Sequence, residues 1–222
     1  NNVAVGYGAL DANTTASNNT ALGYAALTSN TTGTGNVAVG YNSLDANTTA
    51  NNNTAVGFDA LSANTTGTKN NAFGFDSLKT NTTGHSNTGL GCHTLQATTT
   101  GTHNVAAGHN SLFSNTTGVA NTAVGTDALY ENQTAASQTA VGYYCLYKGK
   151  GNNNTAIGGY AGYQTTTGTD NFFGGYRSGN ENTTGNYNST AGNYTLYKNT
   201  TGQQNATMGY YAAFENITGS YN

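Results

Sequence analysis

The sequence predicts an all-β parallel β-solenoid, or β-roll, of about 13 coils with 17 residues in each. Three observations predict this fold: a 17-residue repeat runs through the whole chain, glycine holds the fifth position of every copy, and leucine holds the ninth position of most. Helical hairpins and propeller blades need repeats of about 30 to 45 residues. A shorter period fits one coil of a solenoid, in which successive strands pair in parallel and equivalent side chains stack.

Each copy follows the pattern N-T-A-V-G-Y-x-A-L-x-x-N-T-T-G-x-x, and the first complete copy begins at Asn2. The N-T-A-V-G-Y segment alternates and is rich in β-prone residues, so we expect one strand there in every copy. The N-T-T-G segment consists of turn-forming residues, and we expect it to bend the chain. Such high densities of Thr, Asn and Gly argue against helix.

The fourth and ninth positions are expected to form the core, because they are apolar in most copies and would stack in ladders along the coil. The small residues on either side of the fourth position indicate that another part of the backbone comes close. In the first four copies the predicted core ladders consist of Val5, Leu10, Leu22, Leu27, Val39, Leu44, Val56 and Leu61.

We expect a single solenoid array over residues 1–222, with a shortened copy at 138–153. That copy lacks one residue and carries K-G-K-G in place of the N-T-T turn, which predicts a kink, a loop or a subunit contact. The chain opens and closes inside a copy, and capping rungs of the kind that solenoids usually need are not recognisable. This pattern predicts either a piece of a longer protein or ends that meet other subunits.

The composition argues against several classes of protein. Charged residues make up 7% of the chain, six basic against nine acidic, so there is no basic stripe for nucleic acid. No apolar run reaches the roughly 18 residues that a membrane-spanning helix needs. No nucleophile stands beside a base, so we predict no enzyme activity and no cofactor. The strict register of the apolar positions argues against low-complexity disorder.

The N-T-T turn and its variants N-Q-T and N-I-T have the form of an N-glycosylation acceptor. An alternative is structural, because Asn side chains can stack amide on amide between rungs while Thr hydroxyls satisfy turn amides. The candidate glycosylation sites are Asn13, Asn30, Asn47, Asn64, Asn81, Asn115, Asn132, Asn182, Asn199 and Asn216.

The two cysteines, Cys92 and Cys145, lie three copies apart. Three rungs exceed the distance that a disulfide can bridge, so we interpret both as free. Asp59 and Asp76 share the seventh position of adjacent copies, which predicts two carboxylates about 5 Å apart. A cation bridge between them is an open alternative, but we predict no metal site.

Tyrosine becomes frequent in the second half of the chain, where 13 of the 16 tyrosines lie at Tyr130 or later. At the seventh position, Tyr144, Tyr160, Tyr194 and Tyr211 form a candidate contact face for a sugar or a protein partner, since exposed tyrosine is typical of contact surfaces. The alternative is an aromatic ladder that only stiffens the rungs.

The strand segments resemble a known repeat. N-V-A-V-G at Asn2 and Asn36, N-T-A-V-G at Asn53 and Asn121, and N-T-A-I-G at Asn154 are similar to the S-V-A-I-G motif of trimeric autotransporter adhesin heads. They are also similar to N-T-A-V-G-x-x-A-L repeats of phage tail-fibre-like proteins. The resemblance implies a left-handed β-roll, commonly trimeric, that acts in adhesion on a bacterial or phage surface. The repeat is longer here than in those heads.

We therefore predict a non-enzymatic structural subunit of an extracellular filament or surface fibre on a cell or virion. Its main partner would be itself, either end to end or in a trimer, without nucleic acid or insertion into a membrane. One alternative is an adhesin or tail-fibre shaft that binds surface glycans. Another is an ice-binding protein, because stacked threonines on a flat face suit that role, although T-T pairs place only one Thr of each pair on a given face.

Overall fold

A computed structural model describes all 222 residues. The protein is all-β and has no helix: thirteen parallel strands of three residues each form a β-solenoid, which confirms the predicted fold class. The chain divides into two compact units. Unit 1 comprises Asn1–Asn110 with Asn115–Thr117, and unit 2 comprises Ser111–Ser114 with Gly118–Asn222. Both consist of the same kind of rung, and the single array over 1–222 stays a prediction.

Each strand occupies the second to fourth positions of its copy. The strands of unit 1 are β1 (Val3–Val5), β2 (Thr20–Leu22), β3 (Val37–Val39), β4 (Thr54–Val56), β5 (Asn71–Phe73), β6 (Thr88–Leu90) and β7 (Val105–Ala107). The strands of unit 2 are β8 (Thr122–Val124), β9 (Thr139–Val141), β10 (Thr155–Ile157), β11 (Phe172–Gly174), β12 (Ser189–Ala191) and β13 (Ala206–Met208). Successive strands pair in register, so that Val37 lies beside Thr54 and Val39 beside Val56.

The rest of each coil also pairs with the next rung. The backbone N–H of Leu44 donates to the carbonyl oxygen of Ala60 over 3.1 Å, and that of Ala46 donates to Ser62 over 3.2 Å. These residues belong to the turns that follow β3 and β4. Backbone hydrogen bonds therefore join the rungs on more than one side of the coil, which satisfies groups that an irregular loop would leave unpaired.

The apolar part of the coil interior is formed mainly by the third, eighth and ninth positions. In β4 the central Ala55 is fully buried while both neighbours are half-buried, as alternation along a strand requires. The predicted ninth-position ladder is confirmed, because Leu10, Leu27, Leu44 and Leu61 are all buried. Each buried leucine contributes about 1.5–3 kcal/mol of transfer free energy.

The prediction was wrong for the fourth position, which points outward. Val5 and Leu22 expose 56% and 46% of their surface, and Val39 and Val56 are only half-buried. Side chains alternate between the two faces of a strand, so an inward alanine at the third position directs both of its neighbours to the outside. The opposite wall of the coil lies close to the strand, so in most rungs only the alanine at the third position fits inside.

The ninth-position leucines adopt an unusual backbone conformation. All ten lie in the left-handed region, with φ between 47° and 55°. This region costs an L-residue roughly 1–2 kcal/mol, which burial of the leucine side chain offsets. The fifth-position glycine is constrained more strongly: Gly40 has φ of 135°, and a Cβ there would overlap the carbonyl oxygen of Gly57 in the next rung. An equivalent overlap recurs in most copies, and at Gly209, where no atom lies close, the positive φ of 116° still favours glycine.

The shortened copy keeps its strand in register. Thr139 of β9 lies beside Thr155 of β10, although they are 16 residues apart instead of 17. Gln138 stands where other copies have Asn, and its longer side chain donates from Nε2 to the carbonyl oxygen of Gly149 over 3.2 Å. The missing residue is therefore absorbed in the turn, and the pairing of the two strands is unaffected.

Candidate functional site

The asparagines of the N-x-T turns form a buried ladder. Nδ2 of Asn47 donates to Oδ1 of Asn30 over 2.9 Å and to the carbonyl oxygen of Ala50 over 3.2 Å, and Nδ2 of Asn64 donates in turn to Oδ1 of Asn47. Eight of the ten candidate glycosylation sites are completely buried, namely Asn30, Asn47, Asn64, Asn81, Asn115, Asn132, Asn182 and Asn199. An N-linked glycan would occupy the same nitrogen, so the glycosylation prediction is wrong for these eight.

The two other candidates are Asn13 and Asn216, which are half-buried. Each directs Nδ2 to the carbonyl oxygen three residues later, over 3.3 Å in Asn13 and 3.0 Å in Asn216. Their amides therefore make the same turn contact as the buried members of the ladder. The structural interpretation of the N-x-T motif accounts for all ten positions.

A second asparagine ladder runs along the first position of the copies. Oδ1 of Asn19 accepts the backbone N–H of Asn36 over 2.9 Å, and Nδ2 of Asn36 donates to the carbonyl oxygen of Ala50 over 2.8 Å. The carbonyl of Ala50 thus receives two amides, one from each ladder. The interior is therefore partly polar. Most of its side-chain amides are hydrogen-bonded, as burial requires, although the amide oxygens of Asn81, Asn199 and Gln138 have no hydrogen-bond partner.

Six further asparagines have the N-x-T form but lie outside the twelfth position of the repeat. Four of them, Asn18, Asn52, Asn153 and Asn193, are exposed, whereas Asn188 and Asn205 are buried in the first-position ladder. The signal was present in the sequence, but the repeat drew attention to the turn motif alone.

The outer face of the sheet in unit 1 is apolar. Fourth-position side chains lie along it, and Leu22, Phe73 and Leu90 each expose 40% or more of their surface. The sixth position adds an aromatic ladder, in which neighbouring rings stack with centroids 5.0 to 5.3 Å apart. Its members are Tyr7, Tyr24, Tyr41, Phe58 and Phe75. Contiguous apolar surface on this scale is typical of interaction faces.

The carboxylates of Asp59 and Asp76 are bridged by a lysine. Nζ of Lys79 lies 3.0 Å from Oδ2 of Asp59 and 3.2 Å from Oδ1 of Asp76. The hydrogen bond to Asp59 raises the pKa of the Lys79 ammonium, with Asp76 acting in the same direction. No group of three or more His, Cys, Asp or Glu side chains is placed to hold a metal ion. The cation at this pair is thus supplied by the protein itself.

Both cysteines are free, as predicted. Cys145 is completely buried, and its Sγ donates to the carbonyl oxygen of Ala156 over 3.2 Å. Burial raises the pKa of the Cys145 thiol to about 12. Because the thiolate is the reactive form, this thiol is unreactive at neutral pH. Cys92 is half-buried at the sixth position, within the line of the unit 1 aromatic ladder.

In the threonine pairs of the turns, the first residue hydrogen-bonds to the next rung and the second faces solvent. Thr31 directs its hydroxyl to the carbonyl oxygen of Thr48 over 3.1 Å, while Thr32 is exposed. One exposed file of threonine results, as expected from the T-T spacing. Thr34 adds a second outward threonine in its rung, and the same T-x-T arrangement recurs only at Thr66, Thr100 and Thr167. The ice-binding alternative stays a prediction.

The predicted tyrosine contact face lies in unit 2 and consists of two stacked pairs. The rings of Tyr144 and Tyr160 lie 5.4 Å apart, and those of Tyr194 and Tyr211 lie 5.0 Å apart. Arg177 holds the same position in the rung between them, and its guanidinium lies 5.3 Å from the ring centre of Tyr160, in cation–π geometry. The face is therefore interrupted by one positive charge.

Negative charge reaches the same face at one point. The Asp127 carboxylate raises the pKa of the Tyr144 phenol to about 12, through its charge and a hydrogen bond. At Tyr160 desolvation is the main cause of a raised pKa. Both phenols are therefore protonated at neutral pH, and the Tyr144 hydroxyl is already hydrogen-bonded to Asp127.

A second aromatic file runs along the tenth position of unit 2, and the sequence analysis did not single it out as a site. Phe113, Tyr130, Tyr147 and Tyr163 stack with centroids 5.0 to 5.3 Å apart. Asn180 then interrupts the file, which resumes with Tyr197 and Phe214, 5.0 Å apart.

An open pocket of about 550 Å3 lies at this interruption. Its lining includes Tyr163 and Tyr197 from the aromatic file, together with Gln164, Arg177 and Glu181. The pocket therefore combines aromatic rings with hydrogen-bonding groups of both charges. The signal in the sequence was one polar residue at a position that is aromatic in the neighbouring copies.

Comparison with known proteins identifies no relative: no family model, curated protein or solved structure matches the chain. The structure also contains no helix that is long and apolar enough to cross a membrane.

Proposed function

We propose that the protein is a non-enzymatic structural subunit of an extracellular filament or surface fibre, and that its main partner is a further copy of itself. The similarity of the strand motif to adhesin-head and tail-fibre repeats supports this role. The composition supports it too, because 7% charged residues and two buried asparagine ladders suit a structural rod better than a catalytic domain.

The observation that carries the proposal is that every rung offers the same hydrogen-bonding surface to its neighbour. β13 (Ala206–Met208) pairs with β12 on one side only. The N–H of Ala206 donates to the carbonyl oxygen of Asn222, on the side away from β12. Alternation along the strand directs the N–H of Met208 the same way, so β13 can accept another strand of this repeat.

Lateral association is supported by the apolar outer face of unit 1. Leu22 and Leu90 are 46% and 45% exposed on a face that also carries the stacked aromatic ladder. A second and a third copy could cover this face, which would bury side chains that water contacts in the single chain. The trimer implied by the resemblance would use such a contact.

Negative-stain imaging of the purified chain tests the end-to-end contact. We expect filaments, and we expect Met208→Pro to abolish them because proline has no N–H to donate. Met208→Ala is the matched control, since it removes the side chain and retains the N–H. Filaments that persist in the proline variant, or single particles in the unmodified chain, would contradict end-to-end growth.

Sedimentation velocity of the Met208→Pro variant, in which end-to-end growth is blocked, tests the lateral contact. We expect a trimer that Leu22→Lys together with Leu90→Lys converts to monomer, because the two ammonium groups would be desolvated in the contact. Thr32→Lys, on an exposed turn, is the control and should leave the trimer intact. A monomeric Met208→Pro variant would remove the basis for lateral association.

A further inference from the structure

We propose that the interruption of the tenth-position aromatic file in unit 2 binds one neutral pyranose ring of a glycan. The site is the space outside Asn180 between the rings of Tyr163 and Tyr197, and we call it the Asn180 gap. This binding role goes beyond the structural role proposed above and does not depend on filament formation.

The width of the gap matches one ring. Neighbouring rings in the file are 5.0 to 5.3 Å apart. Because rungs lie about 4.8 Å apart, Tyr163 and Tyr197 are separated by roughly 10 Å, which is two steps of the stack. A ring placed midway would contact both tyrosines at the same spacing as the protein's own rings. The gap is thus one missing member of a stack.

Asn180 leaves this space open instead of filling it. Its side chain is buried, with 8% of its surface exposed, and Nδ2 donates to the carbonyl oxygen of Tyr160 over 3.0 Å. The hydrogen bond draws the amide toward the backbone of the preceding rung. The side chain is therefore held by the wall of the coil and forms the floor of the gap.

The lining favours a sugar over a flat aromatic compound. A pyranose presents an apolar C–H face, which packs on tyrosine, and hydroxyl groups around its edge, which need hydrogen-bond partners. Arg177 supplies donors, Glu181 supplies acceptors, and Gln164 supplies both. An aromatic hydrocarbon ring would leave these groups without partners. One positive and one negative side chain make the lining close to neutral, which suits an uncharged sugar.

The dimensions are also consistent with part of a longer chain. A volume of about 550 Å3 lies within the range of about 300–1,000 Å3 typical of small-molecule sites. The pocket opens to solvent, so sugars on either side of the bound ring could continue along the surface of unit 2. Tyr160 lines the same pocket and offers a further ring for such contacts.

Saturation-transfer NMR tests the site with the methyl glycosides of glucose, galactose, mannose and N-acetylglucosamine and with their short oligomers as probes. We expect at least one neutral sugar to receive saturation through its C–H face. Asn180→Tyr should weaken that binding by at least about tenfold, because the new ring completes the stack. Tyrosine is already accepted at this position in neighbouring copies, so the variant should fold. Asp11→Tyr, at the exposed tenth position of the first copy, is the matched control and should bind normally.

Three results would overturn the proposal. The first is that none of the neutral sugars binds, and the second is that Asn180→Tyr binds as well as the unmodified chain. The third is that p-cresol or adenosine binds in the gap while the sugars do not, which would assign it to planar aromatic ligands. Imaging the Asn180→Tyr variant distinguishes a failure of sugar binding from a failure of the structural role, because this variant should still form filaments.

Discussion

The ring of Phe173 fills the space that a side chain on Gly179 would require, since a Cβ on that glycine would overlap the ring. Gly162, one copy earlier, also packs against it, and a Cβ there would lie 2.8 Å from Cδ2 of Phe173. Both glycines stand at the ninth position, where most copies have leucine. Phe173 stands at the third position, which is usually alanine, so one phenylalanine replaces two leucines.

Phe173→Ala should be among the most destabilising single changes in unit 2. Removing a completely buried phenylalanine costs about 3–5 kcal/mol, and the two glycines leave nothing to fill the cavity. Denaturant unfolding followed by circular dichroism would measure the loss.

The double variant Phe173→Ala with Gly179→Leu should recover part of that stability, because Gly179 has φ of 58°, close to the φ of 53° at Leu196. A double variant no more stable than the single one would show that Phe173 does not replace the leucines.

Gly40→Ala should destabilise unit 1 by at least about 2–3 kcal/mol, because the added methyl group would overlap the backbone of Gly57 and alanine is strained at φ of 135°. Thermal unfolding would measure the effect. Gly8→Ala is the control: Ala25 holds the equivalent position with φ of 55°, and a Cβ on Gly8 would meet no atom closer than 3.5 Å, so the change should cost only the roughly 1–2 kcal/mol of the left-handed conformation. Equal effects at the two glycines would contradict the steric explanation.

Asn47→Ala should cost about 1–3 kcal/mol, because it removes a buried amide and leaves the partner on Asn30 unsatisfied. Asn47→Thr should cost less, since Thr98 occupies the same position in the sixth copy and accepts from Asn115. Asn42→Ala, outside both ladders, serves as the control in chemical denaturation. An unchanged midpoint for Asn47→Ala would argue that the ladder contributes little to stability.

Thiol titration at pH 8 should detect one reactive cysteine per folded chain and two after denaturation. The fast thiol is expected to be Cys92, so Cys92→Ser should abolish the signal and Cys145→Ser should preserve it. Rapid labelling of Cys145 in the folded chain would contradict its burial.

The pKa of the Cys145 thiol also predicts a change of stability with pH. It is raised to about 12 in the folded chain from an ordinary value of 9.0. Between these pH values the unfolded chain has released a proton that the folded chain retains. Stability should therefore fall as pH rises above 9, and less steeply in Cys145→Ser. Equal slopes for the two proteins in denaturant unfolding between pH 9 and 11 would contradict this linkage.

The repeat was sufficient to predict the fold class, because two of its positions have simple local requirements. The fifth position must be glycine beside the backbone of the next rung, and the ninth must be apolar to be buried. The orientation of the strand was not predictable in the same way. Both of its faces carry apolar residues, so alternation alone could not decide whether Ala38 or Val39 points inward. The answer depends on how close the opposite wall lies, which only the folded coil shows.

The candidate site was predicted less well than the fold. The tyrosine positions were recognised. The pocket, however, lies where Asn180 lacks the aromatic ring of its neighbours, and it could not be predicted without knowing that the neighbouring rings stack. The N-x-T motif posed the opposite difficulty. Its pattern fits both an N-glycosylation site and a buried amide ladder, and only the burial of residues such as Asn47 decides between the two.

The turn around Gly149 loses a residue without shifting the strands beside it, which makes each coil an independent module held in register by its own ladders. Duplication or loss of one coding unit would then insert or delete a single step and leave the backbone pairing of the other rungs as it was. The length of such a protein can change by whole coils, while the outward-facing side chains of each coil can change independently of the others.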